Sequence, residues 1–254
     1  CTCCSGAYAQ AILGKWGPDG RLLALERDPQ AIAAAQVLAE KDERFSIQRG
    51  LFTMLKTLVE DQGLIGKVDG ILLDLGVSSP QLDDPERGFS FQHDGPLDMR
   101  LDQKQKLNAH DIINNYSQDD LVKIFFQFGE ERFSRRIVKR IINQRASSAI
   151  DTTGQLKEIV SKAITTWKKR ESVTRIFQAL RIAVNSELDN LQTALSAAIE
   201  LLKPEGRIVI LSYHSLEDRI AKNTLRTAKQ EDRLTVLTKK PLTASESEIS
   251  ANPR

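Results

Sequence analysis

Glu26 and Asp74 are the carboxylates to which chemistry points first, because each closes a short apolar run, Arg21-Leu22-Leu23-Ala24-Leu25-Glu26 in one case and Gly70-Ile71-Leu72-Leu73-Asp74 in the other. In open α/β sheets ligands gather at the carboxyl ends of the strands, so an acid in that position faces the crevice. An ionised carboxylate offers two oxygens and no proton, which suits Glu26 to accept hydrogen bonds from both hydroxyls of a ribose. Asp28, two residues on, has a different explanation: it sits where an N-cap belongs, with Pro29 at the first helical position. Phe52, just after Gly50, can cover a flat adenine ring or simply join the core. Beyond Asp74 come the hydroxyls of Ser78 and Ser79, further acceptors or donors beside the same strand end.

These residues must be positioned by the stretch Asp69 to Arg100. It opens as a strand apolar on both faces, as a central parallel strand covered by helices reads. Some two dozen residues then carry Gly76, Pro80, Pro85, Gly88, Gly95 and Pro96 without a period. Loops that long inside compact domains are usually functional or disordered, and Phe89 and Phe91 argue for a packed, binding one. Upstream, Gln10 to Lys15 ends a helix, Arg21 to Glu26 is a strand, Gln30 to Glu40 a helix, Phe45 to Gln48 a strand and Leu51 to Asp61 a helix with Leu51, Leu55 and Leu58 on one face. This is β-α-β-α-β at Rossmann spacing.

Downstream the pattern turns helical. His110 to Phe128 reads as one amphipathic helix and Glu130 to Gln144 as another, with Phe133, Ile137 and Ile141 inward and Arg132, Arg136, Lys139 and Arg140 outward. Asp151-Thr152-Thr153 starts a helix to about Lys168, and Val173 to Leu202 is helical with an adjustment near Asn185. Gly206 to Leu211 is a buried strand ending at Ser212-Tyr213-His214-Ser215, where Ser215 and Asp218 form a capping box. The simplest account is an α/β, Rossmann-like sheet interrupted by an all-helical insert. His214, after a neighbouring strand end, can line a pocket or make a structural hydrogen bond.

With 254 residues, 41% hydrophobic and 28% charged, the chain can bury a full core. Its net charge is +2, yet residues 121–181 hold fourteen Lys or Arg against five acids, a net of +9 that leaves −7 elsewhere. Such asymmetry points to a surface facing a polyanion, with a solvated helical face as the plain alternative. No apolar run approaches a membrane span and no signal peptide opens the chain, so no membrane is expected and the cytoplasm is the default location. All three cysteines lie in Cys1-Thr2-Cys3-Cys4, far from His93, His110 and His214, so neither a metal site nor a disulfide framework is expected.

Several long blocks carry a resemblance. Asp74-Leu75-Gly76-Val77-Ser78-Ser79-Pro80-Gln81-Leu82, Glu86-Arg87-Gly88-Phe89-Ser90, Asp94-Gly95-Pro96-Leu97-Asp98-Met99-Arg100, Gly129-Glu130-Glu131, Arg175 to Ile182 and Ser212-Tyr213-His214-Ser215-Leu216-Glu217-Asp218-Arg219 resemble the bacterial 16S ribosomal RNA cytosine-N4 methyltransferase family (RsmH, also called MraW). Their order and length are far more specific than one short glycine pattern. The resemblance implies a class I methyltransferase fold, S-adenosyl-L-methionine as methyl donor and a cytidine of the decoding region as acceptor. It also implies cofactor contacts at Gly6, Glu26, Phe52, Asp74 and Gln81, Asp being the more usual residue at the place of Glu26. Residues 1–97 and 175–254 would be the two parts of the methyltransferase domain, and 98–174 an insert recognising RNA through Arg132, Arg136, Lys139 and Arg140. The partner would be 16S ribosomal RNA or the small ribosomal subunit, and a homodimer is compatible with the pattern.

Cytosine N4 is an amine conjugated into its ring and a weak nucleophile, so the protein's task is to position it. Asp74, a backbone carbonyl of Leu75 to Pro80, or Ser78 or Ser79 can accept its N–H groups; His214 completes the candidate catalytic set. Methylation at carbon 5 would need a cysteine nucleophile, which this loop lacks. The family opens with a strand and a loop of the type Asp-Gly-Thr-Phe-Gly-x-Gly-Gly-His, whereas this chain reads Cys1 to Tyr8 with only Thr2 and Gly6 matching. The expectation is a fragment lacking its first strand and C-terminal tail, with a shifted frame at its start. Such a chain would bind the cofactor more weakly than one with the glycine loop restored. Two other functions stay open: a catalytically impaired RNA-binding or ribosome-assembly factor, and a dinucleotide-dependent oxidoreductase.

Overall fold

A computed structural model describes residues 6–165, 167–238 and 240–251. In chain order they form α1 (Ala7–Leu13), β1 (Leu22–Glu26), α2 (Pro29–Ala39), β2 (Phe45–Arg49), α3 (Leu55–Asp61), β3 (Val68–Asp74), α4 (Ser79–Asp83), α5 (Ala109–Asn115), α6 (Gln118–Gln127), α7 (Ser134–Arg145), α8 (Thr153–Ala163), α9 (Lys169–Asn185), α10 (Glu187–Leu201), β4 (Leu202–Leu211), α11 (Ser215–Gln230) and α12 (Glu246–Ala251). Short 3-10 turns at Phe52–Met54 and Pro85–Arg87 complete the order.

The class is α/β, with small parallel sheets. β1 lies parallel to β2 from Leu22 opposite Phe45 to Glu26 opposite Arg49. β3 lies parallel to β4 from Gly70 opposite Arg207 to Asp74 opposite Leu211. Among the described residues these are two separate two-stranded sheets, and no strand joins β1 to β3. Of the aberrant start expected from Cys1 to Tyr8, residues 1–5 lie outside the described residues, and Gly6 to Tyr8 open α1.

Three apolar clusters hold the elements. One gathers α1, α2, β1 and β2 around Ala9, Leu13, Ala35 and Phe45. Another packs α10 against β3 through Leu191, Leu195, Leu201, Ile71 and Leu73. The largest joins α5 to α9 around Phe125, Ile137, Leu156 and Ile176, and it also takes in Phe89, Leu97 and Met99 from the loop after β3. Burying a large apolar side chain of this kind is worth about 1.5–3 kcal/mol. The three loop residues therefore fix that loop to the helical block.

Several elements differ from the sequence reading. The helix expected from His110 to Phe128 is two helices, because Ser117 starts α6 by accepting from the Asp120 N–H. Glu130 takes φ 48°, so α7 begins only at Ser134 and Phe133, expected inward, is 38% exposed. The long loop is less irregular than its composition suggests, since it holds α4. The adjustment near Asn185 is a break at Ser186, φ 50°, between α9 and α10. α9 runs unbroken through position 174.

Candidate functional site

The end of β1 is built by local hydrogen bonds. Glu26 is buried, and its Oε1 accepts from the backbone N–H of Arg27 at 2.7 Å and of Asp28 at 3.0 Å. Those two bonds turn the chain out of the strand and fix the carboxylate at the sheet edge. Asp28 caps α2 as its type and spacing predict, accepting from Gln30 N–H at 2.8 Å. Its second oxygen takes Gln81 Nε2 at 2.6 Å and the Arg87 guanidinium at 2.8 Å, a pair only 1% and 2% exposed. Burial pushes the Asp28 carboxyl up, but hydrogen bonds from Arg87 and Gln81 and the charge of Arg87 outweigh it and hold the group below the usual carboxylate range.

From β3 the chain leaves through Asp74, which is buried and accepts from the Tyr213 hydroxyl at 3.0 Å. Gly76 follows at φ 81°, a left-handed turn closed off by the Tyr213 ring, which an added Cβ would approach to 3.3 Å. Ser78 then caps α4 in a reciprocal box: its hydroxyl accepts from Gln81 N–H at 3.3 Å while Gln81 Oε1 accepts from Ser78 N–H at 2.8 Å. Gln81 is thus held at both ends of its amide, by Ser78 and by Asp28. Gly88 makes the next tight turn; a Cβ there would meet Pro96 O at 2.2 Å. Arg87 Nη2 reaches the carbonyls of Arg100 at 3.0 Å and Leu101 at 3.3 Å, so one guanidinium ties the far end of the loop to the β1 end.

The opposite wall comes from the junction of α9 and α10. Asn185, buried at the last turn of α9, accepts from Leu101 N–H at 2.9 Å and donates to Met99 O at 2.8 Å. Glu187 binds the Arg181 guanidinium through both oxygens, at 2.9 Å from Nε and 2.9 Å from Nη2. At the end of β4 the cap of α11 is His214, whose Nδ1 accepts from Glu217 N–H at 3.4 Å. The cap expected at Ser215 therefore sits one residue earlier, and no Ser215–Asp218 box forms. Buried Glu217, accepting from Tyr213 N–H at 2.8 Å, fixes the earlier register, and the Ser215 hydroxyl instead donates to Glu130 at 2.8 Å.

Burial and the charge of Arg181, opposed by Glu130, push His214 down to about 4. Its Nε2 lies 3.4 Å from Glu217 Oε1 without the alignment of a hydrogen bond. Burial raises the Glu217 carboxyl, against the Tyr213 N–H and Arg181. Glu187, His214 and Glu217 bring ligand-type atoms within 4.8 Å of one another, but Arg181 already occupies the first of them.

A single narrow cleft is lined by Glu26, Phe52, Asp74, Gln81, Asn185 and Glu217 among others. Four of the expected residues thus meet, although they come from four separate segments. Ser78 sits just behind Gln81, and Ser79 is exposed on α4. His214 adjoins Glu217 and is not itself among the lining residues. Gly6 precedes α1 at φ 74° against Leu38 and does not line the cleft. Arg132, Arg136, Lys139 and Arg140 are all exposed at or beside α7. A larger hollow, about 330 Å³, lies between α7 and α8 and takes in Arg140 but no strand-end carboxylate. The smaller one is therefore the candidate site.

Sequence reasoning passed over Arg87, Asn185, Tyr213 and Glu217 as parts of the site, although all but Asn185 fall inside the quoted blocks. Asn185 had one signal, a polar side chain at an expected break in an amphipathic helix. No helix of the described residues is long and apolar enough to cross a membrane.

The model of the MraW methylase family matches residues 1–254. The matched length takes in every segment that lines the cleft, and this chain is a methyltransferase-family protein that belongs to the MraW methylase family.

Proposed function

We propose that this protein transfers a methyl group from S-adenosyl-L-methionine to the N4 amine of a cytidine in the decoding region of 16S ribosomal RNA. The observation that carries the reading is the convergence of Glu26, Phe52, Asp74 and Gln81 on one cleft beside the ends of β1 and β3. The residues fit the cofactor. Glu26, held by two backbone N–H groups, would take the ribose hydroxyls; Phe52 would cover the adenine; Gln81, braced between Ser78 and Asp28, would set the shape of the wall between them. When bound, S-adenosylmethionine supplies a methyl group already activated on a sulfonium.

The chain's own residues then have to hold an amine and receive a proton. Asp74 is buried at the cleft, and its carboxylate can accept an N–H of the cytosine amine and take up the proton released on transfer. Carbon-5 methylation would require a thiolate, and no cysteine stands among the described residues, all three lying at positions 1, 3 and 4. The exposed Arg132, Arg136, Lys139 and Arg140 supply a surface for the flanking phosphates, with 16S ribosomal RNA or the small ribosomal subunit as cytoplasmic partner. The test is incubation with methyl-labelled S-adenosylmethionine and either small-subunit RNA or assembled subunits, followed by digestion to nucleosides. Label in N4-methylcytidine, lost in Asp74→Ala, supports the reading. Label on another atom, or cofactor and RNA binding with no transfer, would replace it with another acceptor or with a binding protein.

A further inference from the structure

Tyr213 combines two properties that rarely occur together. Its hydroxyl donates to a buried carboxylate, Asp74, at 3.0 Å, and its backbone N–H donates to a second, Glu217, at 2.8 Å, yet the residue remains 65% exposed. Both carboxylates line the cleft, and Gly76, whose backbone the Tyr213 ring covers, lines it too. A tyrosine drawn toward a core to satisfy Asp74 would bury its ring; this one is anchored at both ends to carboxylates that line the cleft, does not itself line it, and keeps its body toward solvent. Polar fixation of the backbone and the hydroxyl leaves the ring little rotational freedom, so a flat ligand stacking on it would cost little ordering entropy. Single-stranded bases taken out of their stack are commonly received on aromatic side chains in this way.

We propose that Tyr213 is the platform on which the acceptor base lies, and that its hydroxyl orients Asp74 toward the amine of that base. The inference rests on the reading of the cleft as a site for methyl transfer to a nucleobase. It divides the side chain into two separable parts, which Tyr213→Phe and Tyr213→Leu distinguish. Phe keeps the face and loses the bond to Asp74, so kcat should fall about 10-fold or more while KM for RNA stays within about 2-fold. Leu loses the face as well, and stacking on an aromatic is worth enough that kcat/KM should fall by a further factor of about 5 to 150. The melting temperature should fall in both variants with the lost bond to Asp74, while S-adenosylmethionine affinity stays near the parent's in Phe; a merely structural role would lower kcat/KM equally in Phe and Leu.

A second measurement does not need turnover. A decoding-region RNA carrying the fluorescent analogue pyrrolocytosine at the acceptor position should change its emission on binding the parent and Tyr213→Phe, and much less on binding Tyr213→Leu at equal occupancy. Failure of methyl transfer by the parent, with the emission difference intact, would sink the activity and keep the platform. Equal emission changes for parent and Leu, or equal kcat/KM for Phe and Leu, would overturn the platform while leaving the activity untouched.

Discussion

Replacing Arg87 by Met tests how the site is held together. The guanidinium makes a 2.8 Å ion pair with Asp28 in a setting where both side chains are almost wholly buried, and it donates to the carbonyls of Arg100 and Leu101. It also lies 5.6 Å from the centre of the Phe89 ring. Removing one partner of a buried pair costs about 3–5 kcal/mol, much of it the penalty of the charge left behind. Asp28 keeps its bonds from Gln30 N–H and Gln81 Nε2, which places the expected loss near the lower end, about 3 kcal/mol. That is a large fraction of the stability of an ordinary domain.

The pH dependence has a definite sign. In the parent the Asp28 carboxyl is held low, so its contribution is present above the unfolded value and is lost as pH falls through the folded one. Without Arg87 burial dominates and the carboxyl shifts up, so the variant gains stability as Asp28 takes a proton. The deficit of Arg87→Met should therefore be largest near neutral pH and narrow toward pH ~4. Asp28→Asn keeps a good N-cap while removing the charge, so Asp28→Asn combined with Arg87→Met should recover most of the loss. Urea unfolding of the four proteins, with m compared, gives the cycle. A loss below about 1 kcal/mol for Arg87→Met, or a double variant as unstable as the two singles added, would refute the reasoning.

Three further outcomes follow from the same geometry. Glu26→Gln keeps the shape of the strand end and removes the charge, so calorimetry should show S-adenosylmethionine affinity reduced by about 1.5–3 kcal/mol; unchanged affinity would return Glu26 to a purely structural role. His214, pushed down to about 4, stabilises the fold only where it is neutral; that contribution is intact above the ordinary His value of 6.5 and is lost as pH falls toward about 4. His214→Asn, which keeps a cap, should flatten the stability curve across that window, and an unaltered slope would show that the ring titrates freely. Neutralising Arg132, Arg136, Lys139 and Arg140 together should weaken RNA binding and lower its salt slope by as much as about 3 without changing cofactor affinity, whereas an unaltered salt slope would mark the face as merely solvated.

What could be read in advance was whatever depends on near neighbours. Asp28 and Pro29 announce the start of α2 because a cap acts on the next two or three residues, β1 and β3 declare themselves by apolar runs that turn residues bound, and β2 by the alternation of Phe45 and Ile47 with polar residues. Arg87 could not be understood this way, since Asp28 is 59 positions away and only the folded loop brings them together. Asn185 likewise meets Leu101 across 84 positions, and Tyr213 meets Asp74 across 139. The cap of α11 shows a local failure: His-Ser-Leu-Glu and Ser-Leu-Glu-Asp are offset by one residue, and the burial of Glu217 decides between them. Gln81 was legible as a cleft residue through family resemblance, but its bracing by Ser78 and Asp28 required the fold.

If the cleft between Glu26 and Asp74 holds S-adenosylmethionine, an experimental structure of the protein with S-adenosylhomocysteine bound should place the ribose hydroxyls within hydrogen-bond distance of Glu26, the adenine against Phe52 and the sulfur toward Asp74. A bound ligand whose ribose lies away from Glu26, or one seated in the hollow between α7 and α8, would contradict that placement.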